Sequence, residues 1–160
     1  MKKGKSSVSW YEKLHKEMQP KIVEVPEKWA MKIGQGRMLV PTPLLVDEAI
    51  RKIPKGKLAT VNGLRDYLAD SFRADMTCPL TTGIFLNISA HAAEEEKQKG
   101  KVRVTPWWRV LKEGGHLNPK FPGGTDIQRK LLQKEGYRVV KGKTAGQWLV
   151  DAYQQQLINF

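Results

Sequence analysis

The spacing of apolar residues predicts that the middle of the chain is mostly helical. In three segments they recur every three or four residues, as on the buried face of an amphipathic helix. Favourable first residues precede or open these segments, namely Thr42 with Pro43, Thr60, and Pro79. We therefore predict helices over residues 43–52, after Thr60 to about 71, and from about 79 or 80, prolonged by the charged run 94–100. The second and third helices, joined by the polar turn 73–77, are typical of a helix-turn-helix.

The pattern on either side of this region is weaker. Before it, we predict a helix over residues 7–18 capped by Ser7 or Ser9, a strand over 21–25, and a Gly-rich loop over 33–37. After it, we predict a strand over 102–105, a helix capped by Thr125 or Asp126 that runs to Lys134, a strand over 137–140, and an amphipathic helix over 144–159.

Composition limits the class of protein. The chain has 160 residues, of which 40% are hydrophobic, so we expect one main domain with a buried core. No segment approaches the roughly 20 consecutive apolar residues that span a bilayer. The basic segment Met1–Lys5 precedes no apolar run, so we interpret it as a disordered tail that could add phosphate affinity.

The single cysteine, Cys78, excludes an intramolecular disulfide bond and disfavours a cysteine metal site. His91 and His116 have no neighbours at metal-ligand spacing, and we expect no metal and no cofactor. The cysteine usage fits a cytoplasmic protein, nucleoid-associated if bacterial.

Charge points to the partner. The formal net charge is +12, with 28 Lys and Arg against 16 Asp and Glu. A balance this basic favours a polyanionic partner, first of all nucleic acid.

A series of short motifs, in one order, narrows this expectation. Its centre is the sequence Pro-Trp-Trp-Arg-Val at residues 106–110. Upstream stands Ile-Pro-Lys-Gly at 53–56, and downstream stand Gly-Gly at 114–115, Phe-Pro-Gly-Gly at 121–124, and Leu-Leu with Glu-Gly at 131–136. An ordered series is far more specific than one five-residue match.

This series resembles that of the methylated-DNA–protein cysteine methyltransferases, from about residue 43 to residue 137. The resemblance implies a mostly helical, winged-helix-like α/β fold with a helix-turn-helix. It also implies a DNA-binding domain over residues 41–140, an N-terminal extension over 1–40 and a C-terminal helix over 141–160. In that family the central motif holds a Cys that accepts the alkyl group and a His that helps activate it.

Trp107 and Trp108 stand where the Cys and the His would be, and an indole is neither nucleophile nor base. The chain is therefore most similar to the alkyltransferase-like branch of the family, which binds alkylated DNA without repairing it. The resemblance implies a non-enzymatic protein that binds double-stranded DNA, with alkylated DNA as a candidate, and that marks damage for other repair proteins.

Two DNA-facing positions depart from the family pattern. Leu80 takes the place of an Arg that enters the duplex, and Val61 takes the place of a Tyr that pushes the target phosphate. A Leu can still act as an apolar wedge between bases. Further candidates for phosphate, sugar or charge contacts are Thr60, Thr81, Thr82, Asn87, Lys55, Lys57, Arg65, Lys101 and Arg103.

The resemblance also implies roles around the central motif. Arg109 ties the motif to the core, Phe121 replaces a Tyr that lines the alkyl pocket, and Glu135 loses a His partner that only an indole N–H could replace. Trp107 and Trp108 have three interpretations: a wall on which an extruded base stacks, ordinary core packing, or a plug that blocks base entry.

Two alternative functions remain open. The chain could be a structural or protein-interaction module derived from this family, with buried tryptophans and evenly spread charge. It could also be an enzyme that uses Cys78, whose place before a helix can lower a thiol pKa, although no base accompanies it in the local sequence.

Overall fold

The computed structural model describes residues 8–160. The predicted tail Met1–Lys5 and the predicted cap Ser7 lie outside these residues. Six α-helices are described: α1 Trp10–Leu14, α2 Glu27–Ile33, α3 Pro43–Arg51, α4 Val61–Ser71, α5 Pro79–Gln98 and α6 Gly124–Lys134. None of the helices within residues 8–160 combines the length and apolar character that crossing a membrane requires.

The strands are short. They are β1 Lys21–Glu24, β2 Arg37–Val40, β3 Ala59–Thr60, β4 Met76–Thr77, β5 Val110–Leu111, β6 Val139–Lys141 and β7 Trp148–Val150. β2 lies between β1 and β4, antiparallel to the first and parallel to the second, while β3 pairs with β5 in parallel. β6 and β7 form an antiparallel hairpin with Val139 opposite Val150. The result is a mixed α/β fold in which helices supply most of the core.

Three helices position the candidate site, and their ends follow local chemistry. The Thr42 hydroxyl accepts a hydrogen bond from the Leu45 N–H and caps α3, and the Thr60 hydroxyl accepts from Gly63 and caps α4. The predicted helices over 43–52, after Thr60 to 71, and from 79 onward are confirmed. Buried side chains of α3, α4 and α5 pack into one core around Ile50, Leu64 and Leu86.

A buried carboxylate joins α3 to α5 and to the segment that precedes the double tryptophan. Asp47 of α3 accepts hydrogen bonds from the Ser89 hydroxyl at 2.6 Å and from the Thr105 hydroxyl at 2.8 Å. Its other oxygen pairs with Arg51 at 2.8 Å. A buried carboxylate persists only when its oxygens are satisfied, so this cluster fixes where the chain enters residues 106–110.

Several sequence predictions were wrong outside this core. The predicted helix over 144–159 is instead β7 followed by a 3-10 turn over Tyr153–Gln156, because the segment doubles back through Gly146 and pairs with β6. The predicted strand over 102–105 is irregular, because no neighbouring strand pairs with it and Thr105 turns inward to Asp47. The predicted strands over 21–25 and 137–140 correspond to β1 and β6.

Helix starts were also mispredicted in places. α1 is shorter than residues 7–18, with Ser9 as its cap, and α2 was not predicted. The predicted loop over 33–37 ends where β2 begins. α6 starts from the left-handed Gly123 rather than from Thr125 or Asp126, so the glycine pair sets the first turn. The domain boundaries at residues 40 and 140 stay predictions.

We predict that Asp47→Ala lowers the free energy of unfolding by about 3 kcal/mol, because two buried hydroxyl groups lose their charged acceptor. Urea denaturation followed by circular dichroism measures this. The neighbouring exposed residue provides the control, since Glu48→Ala should change stability by less than about 0.5 kcal/mol. Equal effects of the two substitutions would contradict the anchoring role of Asp47.

Candidate nucleic-acid interface

The first turn of α5 presents apolar side chains to solvent. Leu80 is 59% exposed and Ile84 is 49% exposed, one helical turn apart on the same face. Large apolar side chains seldom stand this exposed in pairs unless they contact a partner. Leu80 therefore has the accessibility that the predicted wedge role requires.

A groove runs along this face of α5. It encloses about 640 Å³, and we call it the α5 groove. Its walls come from α1, from the start of α4, from α5, from the residue after β5 and from the loop after residue 117. The lining residues are Trp10, Lys13, Val61, Pro79, Leu80, Gly83, Ile84, Leu86, Asn87, Ile88, Lys112, Asn118, Pro119 and Lys120.

The charge of the α5 groove has one sign. Lys13, Lys112 and Lys120 line it, and none of its lining residues is acidic. Lysines around an apolar surface attract a polyanion, since each phosphate contact releases a condensed counterion.

Two polar atoms on α5 have no partner among residues 8–160. The Thr81 hydroxyl oxygen and the Asn87 amide oxygen are both buried without a hydrogen bond. Asn87 lines the α5 groove. An unsatisfied buried acceptor costs free energy, so these two atoms lower the stability of α5 in its present packing.

A second cavity of about 470 Å³ continues from the α5 groove and shares Val61, Pro79, Lys112 and Pro119 with it. It leads to the β6–β7 hairpin, where Gly146, Gln147 and Trp148 line it. The two cavities thus connect the start of α5 with the hairpin.

Some predicted DNA-contact residues are committed to the fold instead. Thr82 is buried and its hydroxyl donates to the Cys78 carbonyl at 2.7 Å. The Arg65 guanidinium donates to the Thr77 carbonyl at 2.9 and 3.1 Å, and Thr77 donates back to the Arg65 carbonyl. Thr60 caps α4. These three side chains position α4 and α5 rather than offering free groups to a ligand.

Trp107 lies fully buried, in a 3-10 turn over Trp107–Arg109. Its indole N–H donates to the Glu94 carboxylate at 3.2 Å, and its ring meets the edges of Phe121 and Trp108 at 5.3 and 6.0 Å. Phe121 is buried as well. An indole with no exposed face offers no surface for a base to stack on, so Trp107 fits the core-packing interpretation.

Trp108 belongs to a polar network with Arg109 and Glu135. The Trp108 N–H donates to Glu135 Oε1 at 2.8 Å, and Arg109 Nη2 donates to Glu135 Oε2 at 2.6 Å. Arg109 also donates to the Ile53 carbonyl at 2.8 Å. The indole thus occupies the place predicted for a donor to Glu135, and Arg109 links the motif to the turn before α4.

This network sets the protonation of Glu135. Burial, the largest single effect, raises the pKa of the carboxyl group, but hydrogen bonds from Arg109 and Trp108 and the charges of Arg109 and Lys55 lower it. The net pKa lies below the usual value, so Glu135 is a carboxylate at neutral pH. It is therefore held as an ion-pair partner and not as a proton donor.

The remaining predicted cations lie elsewhere. Lys55 and Arg103 line a separate cavity of about 850 Å³ together with Trp108 and Glu135. This cavity shares no lining residue with the α5 groove. Lys101 pairs with Glu96 at 2.9 Å, and Lys57 is exposed. Of the predicted site residues, only Val61, Leu80 and Asn87 meet in the α5 groove.

The alternative chemistry at Cys78 finds no support in its surroundings. The thiol is buried, and the backbone N–H of Cys78 donates to the Leu39 carbonyl in the sheet. Within residues 8–160, no group of three or more His, Cys, Asp or Glu side chains is arranged to hold a metal ion.

The lining residues of the α5 groove that sequence reasoning missed include Trp10, Lys13, Lys112 and Lys120. Their only signal in the sequence is residue type, an aromatic ring or a cation. Tertiary contacts bring them to α5.

No protein-family model and no curated protein matches the sequence significantly. Among solved structures, the chain is similar to S. pombe Atl1 in complex with damaged DNA containing O6-carboxymethylguanine, with 18% identity and a TM-score of 0.50 over 73% of this chain and 94% of that one. It is also similar to S. pombe ATL in complex with DNA, with 17% identity and a TM-score of 0.48 over the same shares. At these identities the likeness to Atl1 shows a shared fold.

We predict that Glu135→Ala destabilises the protein by about 3 kcal/mol, because the Arg109 charge would be left buried without its partner. The two side chains are only 9% and 13% exposed. Asp126→Ala is the matched control, because Asp126 pairs with Arg129 at the surface. Its loss should lower the free energy of unfolding by less than about 1 kcal/mol. Chemical denaturation measures both, and similar small losses would refute the anchoring role of Glu135.

The same carboxylate should give stability an acid dependence. Its native pKa lies below the usual 4.5, so the unfolded chain binds the proton more readily. The stabilisation is complete above the usual pKa and is lost as the pH falls through the native pKa. Below about pH 4.5, the free energy of unfolding should fall less steeply in Glu135→Gln than in the wild type. Parallel pH profiles would argue against the shift.

Proposed function

We propose that this protein binds double-stranded DNA through the α5 groove and recognises O6-alkylguanine or related damage without transferring the alkyl group. One observation carries the proposal: two exposed apolar side chains on α5 are bordered by three lysines and no acidic residue. The fold supports it, because the chain shares its fold with Atl1, a protein solved in complex with damaged DNA.

The chemistry of this face suits a duplex. Lysines give affinity through phosphates, without regard to sequence, and exposed Leu80 and Ile84 can wedge between base pairs and unstack them. Unstacking costs least at a damaged or mismatched pair, which provides a preference for lesions without any reaction.

We further propose that the fold works as a winged helix, with α4 and α5 as the helix-turn-helix and the β6–β7 hairpin as the wing. Lys141 and Lys143 stand exposed at the hairpin turn. The cavity that links α5 with Gly146 and Trp148 puts this turn beside the same surface. The hairpin would thus add phosphate contacts next to α5.

The absence of alkyl transfer is part of the proposal. Transfer needs a thiolate beside a base, whereas the motif position holds the buried indole of Trp107, and the Cys78 thiol is buried against the sheet. A protein that binds a lesion without removing it would mark the site for other repair proteins, and we place that role in the cytoplasm or on the nucleoid.

A second candidate is a structural or protein-interaction module. The burial of Trp107 favours it, since that module predicts buried tryptophans. The three lysines that line the α5 groove favour DNA binding instead. DNA binding separates the two functions.

We expect fluorescence anisotropy to show tighter binding to a duplex with one O6-methylguanine than to the matched unmodified duplex. Binding to both should weaken steeply with salt, because phosphate contacts dominate the affinity. Intact-protein mass spectrometry after incubation should show no methyl adduct, and an adduct would instead assign an enzyme. Absence of binding at low salt would remove the DNA function and favour the interaction module.

Leu80→Ala should weaken preference for the modified duplex by about 1–3 kcal/mol, because one apolar wedge is lost, while the salt dependence stays unchanged. Anisotropy titrations with both duplexes measure this. Met31→Ala is the control, since Met31 is an apolar residue on α2 that is 98% exposed and lies outside the α5 groove. Equal effects of the two substitutions would exclude Leu80 as the wedge.

A further inference from the structure

The N-terminal helix α1 is docked on α5 by a set of specific contacts. The backbone N–H groups of Trp10 and Tyr11 donate to the two carboxylate oxygens of Glu95, at 3.1 and 3.2 Å. The Trp10 ring stacks on His91 with centroids 4.4 Å apart and planes 20° apart. Leu14, at the end of the helix, is buried. Trp10 is therefore held at a defined place on α5.

This docking makes α1 a wall of the α5 groove. Trp10 and Lys13 line it together with Leu80, Gly83 and Asn87. The Lys13 ammonium lies 4.1 Å from the centre of the Trp10 ring, so the cation and the ring form one unit at the groove edge. His91 stays mainly neutral in this stack, because burial lowers its pKa more than its contacts with Lys120 and Glu94 raise it.

Residue 83, on the groove side of α5, is an exposed glycine. A Cβ added there would meet no atom within 4 Å, although Gly83 lies inside α5. The space between the Trp10 wall and α5 is therefore not filled by packing. Asn87 lines this space, although its amide oxygen is itself buried and has no partner among residues 8–160.

We propose that Trp10 is the stacking surface for a nucleotide displaced from the duplex, received in the α5 groove with Asn87 at its edge and Lys13 near its phosphate. This inference rests on the proposed DNA binding and adds a binding residue from the N-terminal extension. His91 stacks on the Trp10 ring and the Lys13 ammonium lies over it, so the base would take the place of the flexible Lys13 side chain, which would turn to the phosphate. The extension would then supply the stacking that the buried Trp107 does not.

The first test compares a fully paired duplex with one that carries a single bulged adenine, by fluorescence anisotropy at fixed salt. The wild type should bind the bulged duplex more tightly, and Trp10→Ala should lose roughly 5- to 150-fold of that preference, the range for one base–aromatic stack. Trp10→Phe should recover most of it. Trp29→Ala is the control, since Trp29 is a half-buried tryptophan on α2 outside the α5 groove.

The second test does not touch α1. Gly83→Phe should fill the groove and abolish the preference for the bulge, while the melting temperature stays equal or rises, because residue 83 is exposed, an added Cβ meets no atom within 4 Å, and glycine is unfavourable inside a helix. Gln98→Phe, at the exposed end of the same helix, should leave the preference intact.

Each outcome separates the two proposals. A wild type that binds neither duplex at low salt overturns the DNA function together with this inference. Equal wild-type binding of both duplexes overturns the inference and leaves general DNA binding. A wild-type preference that survives both Trp10→Ala and Gly83→Phe places the displaced nucleotide elsewhere and also overturns it.

Discussion

The complete burial of Trp107 is the constraint on which the rest of the structure depends. A buried indole removes roughly 150–250 Å² from water, more than most side chains, and its N–H must still find an acceptor. Glu94 on α5 provides that acceptor, while Phe121 packs against the ring. The indole therefore fixes the C-terminal half of α5 against the segment before α6. Because Trp107 is used for packing, its ring is not available to a ligand.

The acidic residues of α5 explain why that outer face is positive. Glu94 is bonded to Trp107, Glu95 accepts from the backbone of α1, and Glu96 pairs with Lys101. Each of these carboxylates is used inside the fold, in the second half of the helix. The first half carries none, and lysines from three other segments border it. The lining of the α5 groove is therefore basic, as the net charge of +12 leads one to expect.

The features of the fold that depend on neighbouring residues could be predicted from the sequence. The helices α3, α4 and α5 follow from caps and apolar spacing, and Leu80, Val61 and Asn87 follow from their place in the motif series. Pairing between distant segments was not predictable, which is why the segment after residue 144 was expected to be helical although it pairs with β6. Thr82 and Arg65 were expected to contact DNA, because a sequence does not show which polar side chains form hydrogen bonds within the fold.

The same limit concealed Trp10, whose place beside α5 depends on tertiary contacts. Packing an indole at the motif position stabilises the core but closes the space around it to a base. A groove beside α5 needs only a second wall to accept a planar ligand, and a short helix docked through Glu95 supplies one. Recognition by stacking and charge needs no reactive group. A segment outside the motif series thus supplies one wall of the α5 groove.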